Sequence, residues 1–206
     1  MKSKLFVIGK PIKHSRSPTI HNFWIEKYSL NARYNKLEVD KTEIKDLIQK
    51  VRDGKIKGLN ITIPYKKIMI DFVDEVEESV IRSNAINTVY KINDKIIGAN
   101  TDGIGFISSL KTDLNFNINS NTNVMCIGAG GAAYGIVSSL IDLSPNIIRI
   151  INRTKSSGIK LIKHFEKFTQ SKKIFETEHL GSNPIMDIDL LVNCTSCGMD
   201  GKNPLA

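Results

Sequence analysis

Residues 124–143 read VMCIGAGGAAYGIVSSLIDL, and the next apolar run, NIIRIINRT, closes at residue 154. An apolar strand pattern runs into glycines, then into a helical pattern, then into a second strand. That order is a βαβ unit. The loop Gly128-Ala129-Gly130-Gly131-Ala132-Ala133 has the spacing G-x-G-G-x-A, a variant of the dinucleotide fingerprint. The first glycine allows the tight turn. The next lets backbone N–H groups approach a pyrophosphate at the helix start, and Ala133 is small enough for close helix–strand packing. A tight structural turn is the plainer reading, but the position between strand and helix favours a nucleotide. The second strand ends in Asn152-Arg153-Thr154-Lys155, where an NAD site would place an acid. An arginine there suits a 2′-phosphate through its charge and its fork of donors, and Thr154 adds a hydroxyl. The expectation is NADP rather than NAD, against a solvated arginine at a strand end.

Outward from this unit the pattern continues. A lysine-rich helix is expected over 155–168, a strand near Lys173–Glu176, and an apolar strand at DIDLLVN (187–193). Upstream, NFNINSNTN (115–123) is polar and reads as a linker or as a loop just inside a second domain. The first half also alternates. LFVIG (5–9) is a strand, and Pro18–Tyr28 a helix with Ser17 as its cap and Pro18 at its first position. ARYNKLEV (32–39) is a strand. Thr42–Arg52 is a helix with Ile44, Leu47, Ile48 and Val51 on one face. GLNITI (58–63) is a strand, and residues 66–73 and 75–83 read as short helices. Residues 85–100 form a hairpin around Asn93-Asp94, and 101–114 a helix. Strands alternating with helices imply an α/β fold with a doubly wound, mainly parallel sheet.

Bulk properties narrow the function. The chain has 206 residues, 41% of them apolar, and a net charge of +8. No apolar run is long enough to span a membrane, and the N-terminus does not read as a signal peptide, so a cytoplasmic location is expected. The basic residues are scattered, without the aromatic-lined stripe that nucleic acid would want. A small anionic ligand fits the charge as well. Cys126, Cys194 and Cys197 are read as reduced thiols. CTSC (194–197) follows a strand rather than opening a helix, which weighs against a redox pair. No zinc-ligand spacing is visible, so no metal is expected.

Four clusters carry small hydroxyls, amides and charges at strand ends or helix starts: HSRSP (14–18), NITIPYK (60–66), AINT (85–88) and GANTDGIG (98–105). Strand ends of an open α/β sheet face the ligand crevice. Ser15, Ser17, Thr62, Lys66, Asn87, Thr101 and Asp102 are therefore candidates to meet one polyhydroxylated ligand. Each alone is better read as a cap, a turn residue or a solvated side chain.

In order, PIKHSRSPTIHN, GLNITIPYK, NAINT, GANTDGIG, GAGGAA, NRT and NCTSCGM resemble the shikimate dehydrogenase family over essentially the whole chain. The resemblance implies two α/β domains. Residues 1–104 would bind substrate on a mixed, mostly parallel sheet, and 105–206 would form a Rossmann-like NADP-binding domain. It implies reversible NADPH-dependent reduction of 3-dehydroshikimate to shikimate, a step of aromatic amino-acid biosynthesis. Ser15 and Ser17 would hold the carboxylate, Thr62 and Asn87 the ring hydroxyls. Lys66 and Asp102 would be the catalytic pair. Residues 128–132 would cradle the pyrophosphate. Asn152, Arg153, Thr154 and Lys155 would take the 2′-phosphate end, and Thr195 and Ser196 would line the cofactor. A lysine ammonium at neutral pH can give the proton that the ketone oxygen needs, and a nearby carboxylate would favour and fix it.

Two residues depart from the family pattern: Asn84 stands where glycine is usual, and Tyr134 where arginine often follows the glycine loop. The chain also stops at NPLA, where family members continue for several elements. The expectation is an incomplete cofactor domain, an uncovered apolar face and low activity for these residues alone. Competing readings are a quinate-using or NAD-using relative, a non-catalytic NADP-binding fragment and, last, an RNA binder. A homodimer is left open.

Overall fold

A computed structural model of the chain describes residues 2–169, 175–178 and 187–197. It divides into two compact units between Thr101 and Asp102.

The first unit is built on strands β1 (Ser3–Gly9), β2 (Ala32–Glu38), β3 (Gly58–Ile61), β4 (Glu75–Val76), β5 (Thr88–Ile92) and β6 (Lys95–Ala99), with helices α1 (Ser17–Lys27), α2 (Ile44–Arg52) and α3 (Glu78–Ser83). The sheet order is β2-β1-β3-β5-β6-β4. β1 pairs in parallel with β2 and β3, and β4 with β6. β5 pairs antiparallel with both β3 and β6, so the sheet is mixed. The strand period of two sends Val7 and Ile8 to opposite faces. Ile8 joins the core formed by α2, whose Ile44, Leu47, Ile48 and Val51 pack against Leu59, Ile61, Val89 and Ile96. Val7 joins a smaller core with Ile12, Tyr34 and Ile25 of α1. Burying each large aliphatic of the α2 stripe contributes at most about 1.5–3 kcal/mol. α1 leaves Ile20, Phe23, Trp24 and Tyr28 exposed, with the Lys27 ammonium 4.8 Å from the Trp24 ring centre.

Two local expectations change, and the departure at Asn84 finds its reason. Arg16, not Ser17, is the cap of α1; Ser17 is already helical, and no side chain caps the helix. Residues 75–76 form an edge strand rather than the start of a helix, because they complete the ladder beside β6. Asn84 ends α3 in the left-handed region at φ 48°. Glycine is the usual residue in that conformation, and asparagine is the next most tolerant, so the departure at this position keeps the backbone.

The second unit contains α4 (Asp102–Thr112), β7 (Asn123–Ile127), α5 (Gly131–Ile141), β8 (Ile147–Ile151), α6 (Lys155–Glu166), β9 (Phe175–Glu178) and β10 (Leu190–Asn193). Its sheet is wholly parallel in the order β10-β7-β8-β9. The strand expected near 173–176 begins at Phe175; residues 173–174 lie outside the described part. The polar stretch 115–123 lies inside this unit, between α4 and β7. Val124, Val137, Leu140, Ile148, Ile150, Leu161 and Phe165 form the core. α4 lies so close to α5 that a Cβ on Gly103 would stand 2.4 Å from the Gly135 carbonyl oxygen and 2.1 Å from Ser139 Oγ.

Two outcomes follow. Gly103→Ala must push α4 away from α5, and should lower stability by about 1–3 kcal/mol in chemical denaturation; an unchanged midpoint would show that the contact is slack. In the first unit, Arg52 donates to both Asp74 oxygens at 2.8 and 2.9 Å, and Ile96 N–H donates at 2.7 Å. The guanidinium first, and the backbone donor second, hold the Asp74 carboxyl at about 2, below its usual 3.8. A depressed carboxyl stabilises the fold above its unfolded value, and that stability is lost as pH falls through the folded value. Asp74→Asn should therefore flatten the loss of stability between about pH 3.8 and 2, measured as denaturant midpoint against pH.

Candidate functional site

In the first unit, the candidate residues sit where strands end and turns begin. Ser15 precedes α1. The Ser17 N–H donates to Ser15 Oγ at 3.3 Å, and Ser15 Oγ donates to Ser17 Oγ at 3.2 Å. With Arg16 at the cap position, neither hydroxyl is consumed in capping. Thr62 lies just beyond β3; its N–H donates to the Ile8 carbonyl and its carbonyl accepts from Tyr65 N–H, both at 2.9 Å. The turn is pinned from both sides. The Tyr65 hydroxyl donates to the Val39 carbonyl at 2.6 Å, and the Lys66 carbonyl accepts from Ile86 N–H at 2.7 Å. Lys66 is half-buried and Lys67 exposed.

Asn87 is buried at the centre of a side-chain network. Its Nδ2 donates to Thr101 Oγ1 at 3.0 Å, and its Oδ1 accepts from Thr88 Oγ1 at 2.8 Å and from Thr101 N–H at 3.0 Å. Asn60 Nδ2 donates to Thr88 Oγ1 at 3.1 Å and to the Asn87 carbonyl at 3.3 Å. Tyr34 Oη donates to Asn60 Oδ1 at 2.7 Å. Asn22 of α1 grips the Tyr34 backbone with both ends of its carboxamide, at 2.8 and 3.0 Å. Tyr34, Asn22 and Thr88 were not candidates from the sequence. Their partners are 12 to 28 residues away, except for the Thr88–Asn87 contact, so no local spacing marks them.

In the second unit, the sheet order reverses between β7 and β10, which is where open α/β sheets bind ligands. Both flanking loops carry candidates. Gly128 adopts φ +107°, and a Cβ there would stand 2.8 Å from Thr195 Cγ2, so only glycine fits the turn and the approach together. Ala129 follows, half-buried. Gly130 is the cap of α5, has no side chain to satisfy the helix start, and faces open space. Gly131 and Ala132 form the first turn, whose N–H groups remain for an anion. After β10, the Thr195 N–H and Oγ1 both donate to Asn193 Oδ1, at 3.0 and 2.7 Å. Ser196 is exposed beside it.

β8 delivers the other end. Asn152 Nδ2 donates to the Thr154 carbonyl at 2.8 Å, Arg153 and Lys155 are exposed, and Thr154 caps α6 without a side-chain bond. The first turn of α6 carries no acid. These cations beside a helix start fit a phosphate monoester, and the glycine turn fits a pyrophosphate.

Tyr134 is buried against His164 and Phe165, at ring-centre distances of 5.3 and 5.7 Å, so it serves the core of the unit. Asp102 opens α4, where the helix dipole favours an anion. The Cys194 thiol is lowered from its ordinary value by the Cys126 thiol beside it, against burial and the Asp102 charge, which raise it. The same contact, with burial, pushes the Cys126 thiol up. Among the described residues, no cluster of His, Cys, Asp and Glu is arranged to hold a metal ion, and no helix is long and apolar enough to cross a membrane.

Residues 7–89 match the family model described as the shikimate dehydrogenase substrate binding domain. The chain is 44% identical over 206 residues to a shikimate dehydrogenase (NADP(+)) of Pelagibacter ubique, covering 100% of this chain and 73% of that protein. It superposes on the crystal structure of shikimate dehydrogenase from Aquifex aeolicus with a TM-score of 0.87 at 33% identity, covering 98% of this chain and 72% of that one. A shikimate dehydrogenase crystallised with NADP+ gives a TM-score of 0.88 at 30% identity, covering 96% and 68%. On the identity across its full length and the agreement of both units, this chain belongs to the shikimate dehydrogenase family.

Proposed function

We propose that the chain carries out the NADP-dependent, reversible reduction of 3-dehydroshikimate to shikimate. The observation that carries this reading is the 44% identity over 206 residues, 100% of this chain, to an enzyme of that name. The site geometry supports it from two sides. The first unit presents paired serine hydroxyls, an amide network and a half-buried lysine, which suit a carboxylated ring bearing hydroxyls. The second presents a glycine turn and a cationic strand end, which suit NADP.

NADPH, when bound, supplies the hydride for the ketone carbon. The protein's own residues do the rest. Ser15 and Ser17 hold the carboxylate, and Thr62 and Asn87 orient the ring. Lys66 gives its proton to the ketone oxygen as the carbon is reduced, and in the reverse direction takes the hydroxyl proton. Asp102 is its anionic partner, favouring the protonated amine before transfer. The backbone of residues 128–132 receives the pyrophosphate. Asn152, Arg153, Thr154 and Lys155 receive the 2′-phosphate, while Thr195 and Ser196 line the cofactor. A cytoplasmic location belongs to the same proposal. A homodimer is its open assembly state, read directly by light scattering.

The test is absorbance of reduced nicotinamide with the 206-residue chain, shikimate and NADP+, beside wells holding quinate or NAD+. Growth confined to shikimate with NADP+ supports the reading. Growth with quinate or NAD+ instead would replace the substrate or the cofactor, and NADP+ binding without turnover would favour a non-catalytic nucleotide module. Two variants sharpen the roles. Lys66→Ala should reduce turnover by about 10²-fold or more while shikimate still binds, the scale of a lost acid–base group. Arg153→Ala should raise KM for NADP+ by about tenfold, the worth of one charged hydrogen bond, and leave weak NAD+ use unchanged.

A further inference from the structure

Asn60 and Thr88 stand opposite each other in the register of β3 and β5, and Asn87 directly precedes Thr88. One hydroxyl therefore lies between two side-chain amides. A carboxamide has a donor end and an acceptor end of nearly the same shape, and its last torsion is soft, so its neighbours decide which way it faces. Two backbone groups settle the matter for these two amides. The Asn87 carbonyl only accepts, and it takes a bond from Asn60 at 3.3 Å, so the nitrogen of Asn60 is on that side. The Thr101 N–H only donates, and it meets Asn87 at 3.0 Å, so the oxygen of Asn87 is on that side. Thr88 joins the two amides. Its Oγ1 accepts from Asn60 Nδ2 at 3.1 Å, and its one proton goes to Asn87 Oδ1 at 2.8 Å. The Tyr34 hydroxyl, donating to Asn60 Oδ1 at 2.7 Å, fits the same orientation from the far end.

Asn87 Oδ1 thus receives the Thr88 hydroxyl and the Thr101 N–H, and both of its lone pairs are taken. Thr101 Oγ1 touches both ends of the same carboxamide, 3.0 Å from Nδ2 and 3.2 Å from Oδ1. A ligand oxygen can then meet this amide only through its nitrogen. Removing the Thr88 proton reopens a lone pair on Oδ1, and Asn60 Nδ2 keeps only the longer of its two bonds. We propose that Thr88 is a positioning residue for ring recognition: its hydroxyl locks the Asn87 carboxamide so that the nitrogen, not the oxygen, meets the substrate. The ring oxygen at Asn87 is accordingly held as an acceptor, a role that a hydroxyl or a ketone fills and an ammonium cannot. This inference rests on the reading that Asn87 orients the substrate ring.

The experiment is calorimetric binding of shikimate to the wild-type chain and to Thr88→Val, Thr88→Ser and Asn87→Ala, beside the side-chain amide resonances of Asn87 without ligand. Valine keeps the shape of threonine and removes the hydroxyl. Thr88→Val should weaken shikimate about five- to tenfold, the scale of one hydrogen bond, and broaden the Asn87 amide signals. Thr88→Ser keeps the hydroxyl, so it should bind within about twofold of wild type and leave the signals sharp. Added to Asn87→Ala, Thr88→Val should cost no more than about a further twofold, since it acts through that amide. If the thermal midpoint shows that valine unfolds the chain, Thr88→Ala takes its place. Serine as poor as valine, additive losses, or Asn87 signals unmoved by the loss of the hydroxyl would mean that Thr88 only packs the strand, and would overturn the inference while leaving the function intact. Failure of the wild-type chain to bind shikimate at all would instead remove the reading beneath it, and the inference with it.

Discussion

One carboxamide closes the open edge of the first sheet. β2 is an edge strand, and at Tyr34 its outward N–H and C=O have no strand to meet. Asn22 supplies both partners from α1, acting as a single residue of an extra strand. An unmet buried pair would cost on the order of 1–3 kcal/mol for each group, so the bond is strongly specified. It also fixes where α1 begins relative to the sheet. Ser17 opens that helix, and the Tyr34 ring projects from the residue being gripped. The serine pair and the phenol are thus aligned by the closure of a sheet edge, and the amide network of Asn60, Thr88 and Asn87 extends that alignment across β3 and β5.

The second unit is organised by a different constraint, the reversal of strand order beside β7. A parallel sheet puts all its strand ends on one side, so the loops after β7, β8 and β10 share a face. Sequence order does not predict that the last described strand lies beside the first. Topology makes the residues after Asn193 neighbours of the glycine turn, and the 2.8 Å limit at Gly128 records how near they come.

Much of this was legible in the sequence because it is local. Four apolar residues at helical spacing specify α2, Asn93-Asp94 specifies the hairpin, and strand, glycines and helix in succession specify the nucleotide loop. The paired serines and Lys66 were also visible, as polar residues at element ends. What was not visible depends on distance in the chain. β4 is two residues long, too short for any period, and exists because β6 offers an edge. Ser17 matches a cap in composition, yet the turn made by Ser15 places Arg16 there instead. Tyr34 sits in an alternating strand as an ordinary inward aromatic. Its hydroxyl bond to Asn60 comes from another strand, which only the folded sheet brings near it. Tyr134 follows the glycine loop, and no sequence rule says that its ring turns into the core.

The contact between Gly128 and Thr195 also bears on the order in which the protein assembles. Chains emerge from the ribosome N-terminus first and fold in units as they do. Every strand of the first sheet is complete by Ala99, so the serine pair and the amide network can form while the rest is still being made. The nucleotide turn cannot. Its wall is Thr195, almost seventy residues later in the chain. Until β10 docks on β7, the glycine loop lacks the wall that Thr195 gives it on one side. The first unit therefore matures before the glycine turn of the second. Any pause in translation between the two leaves a chain that has finished its first unit but cannot yet shape its second.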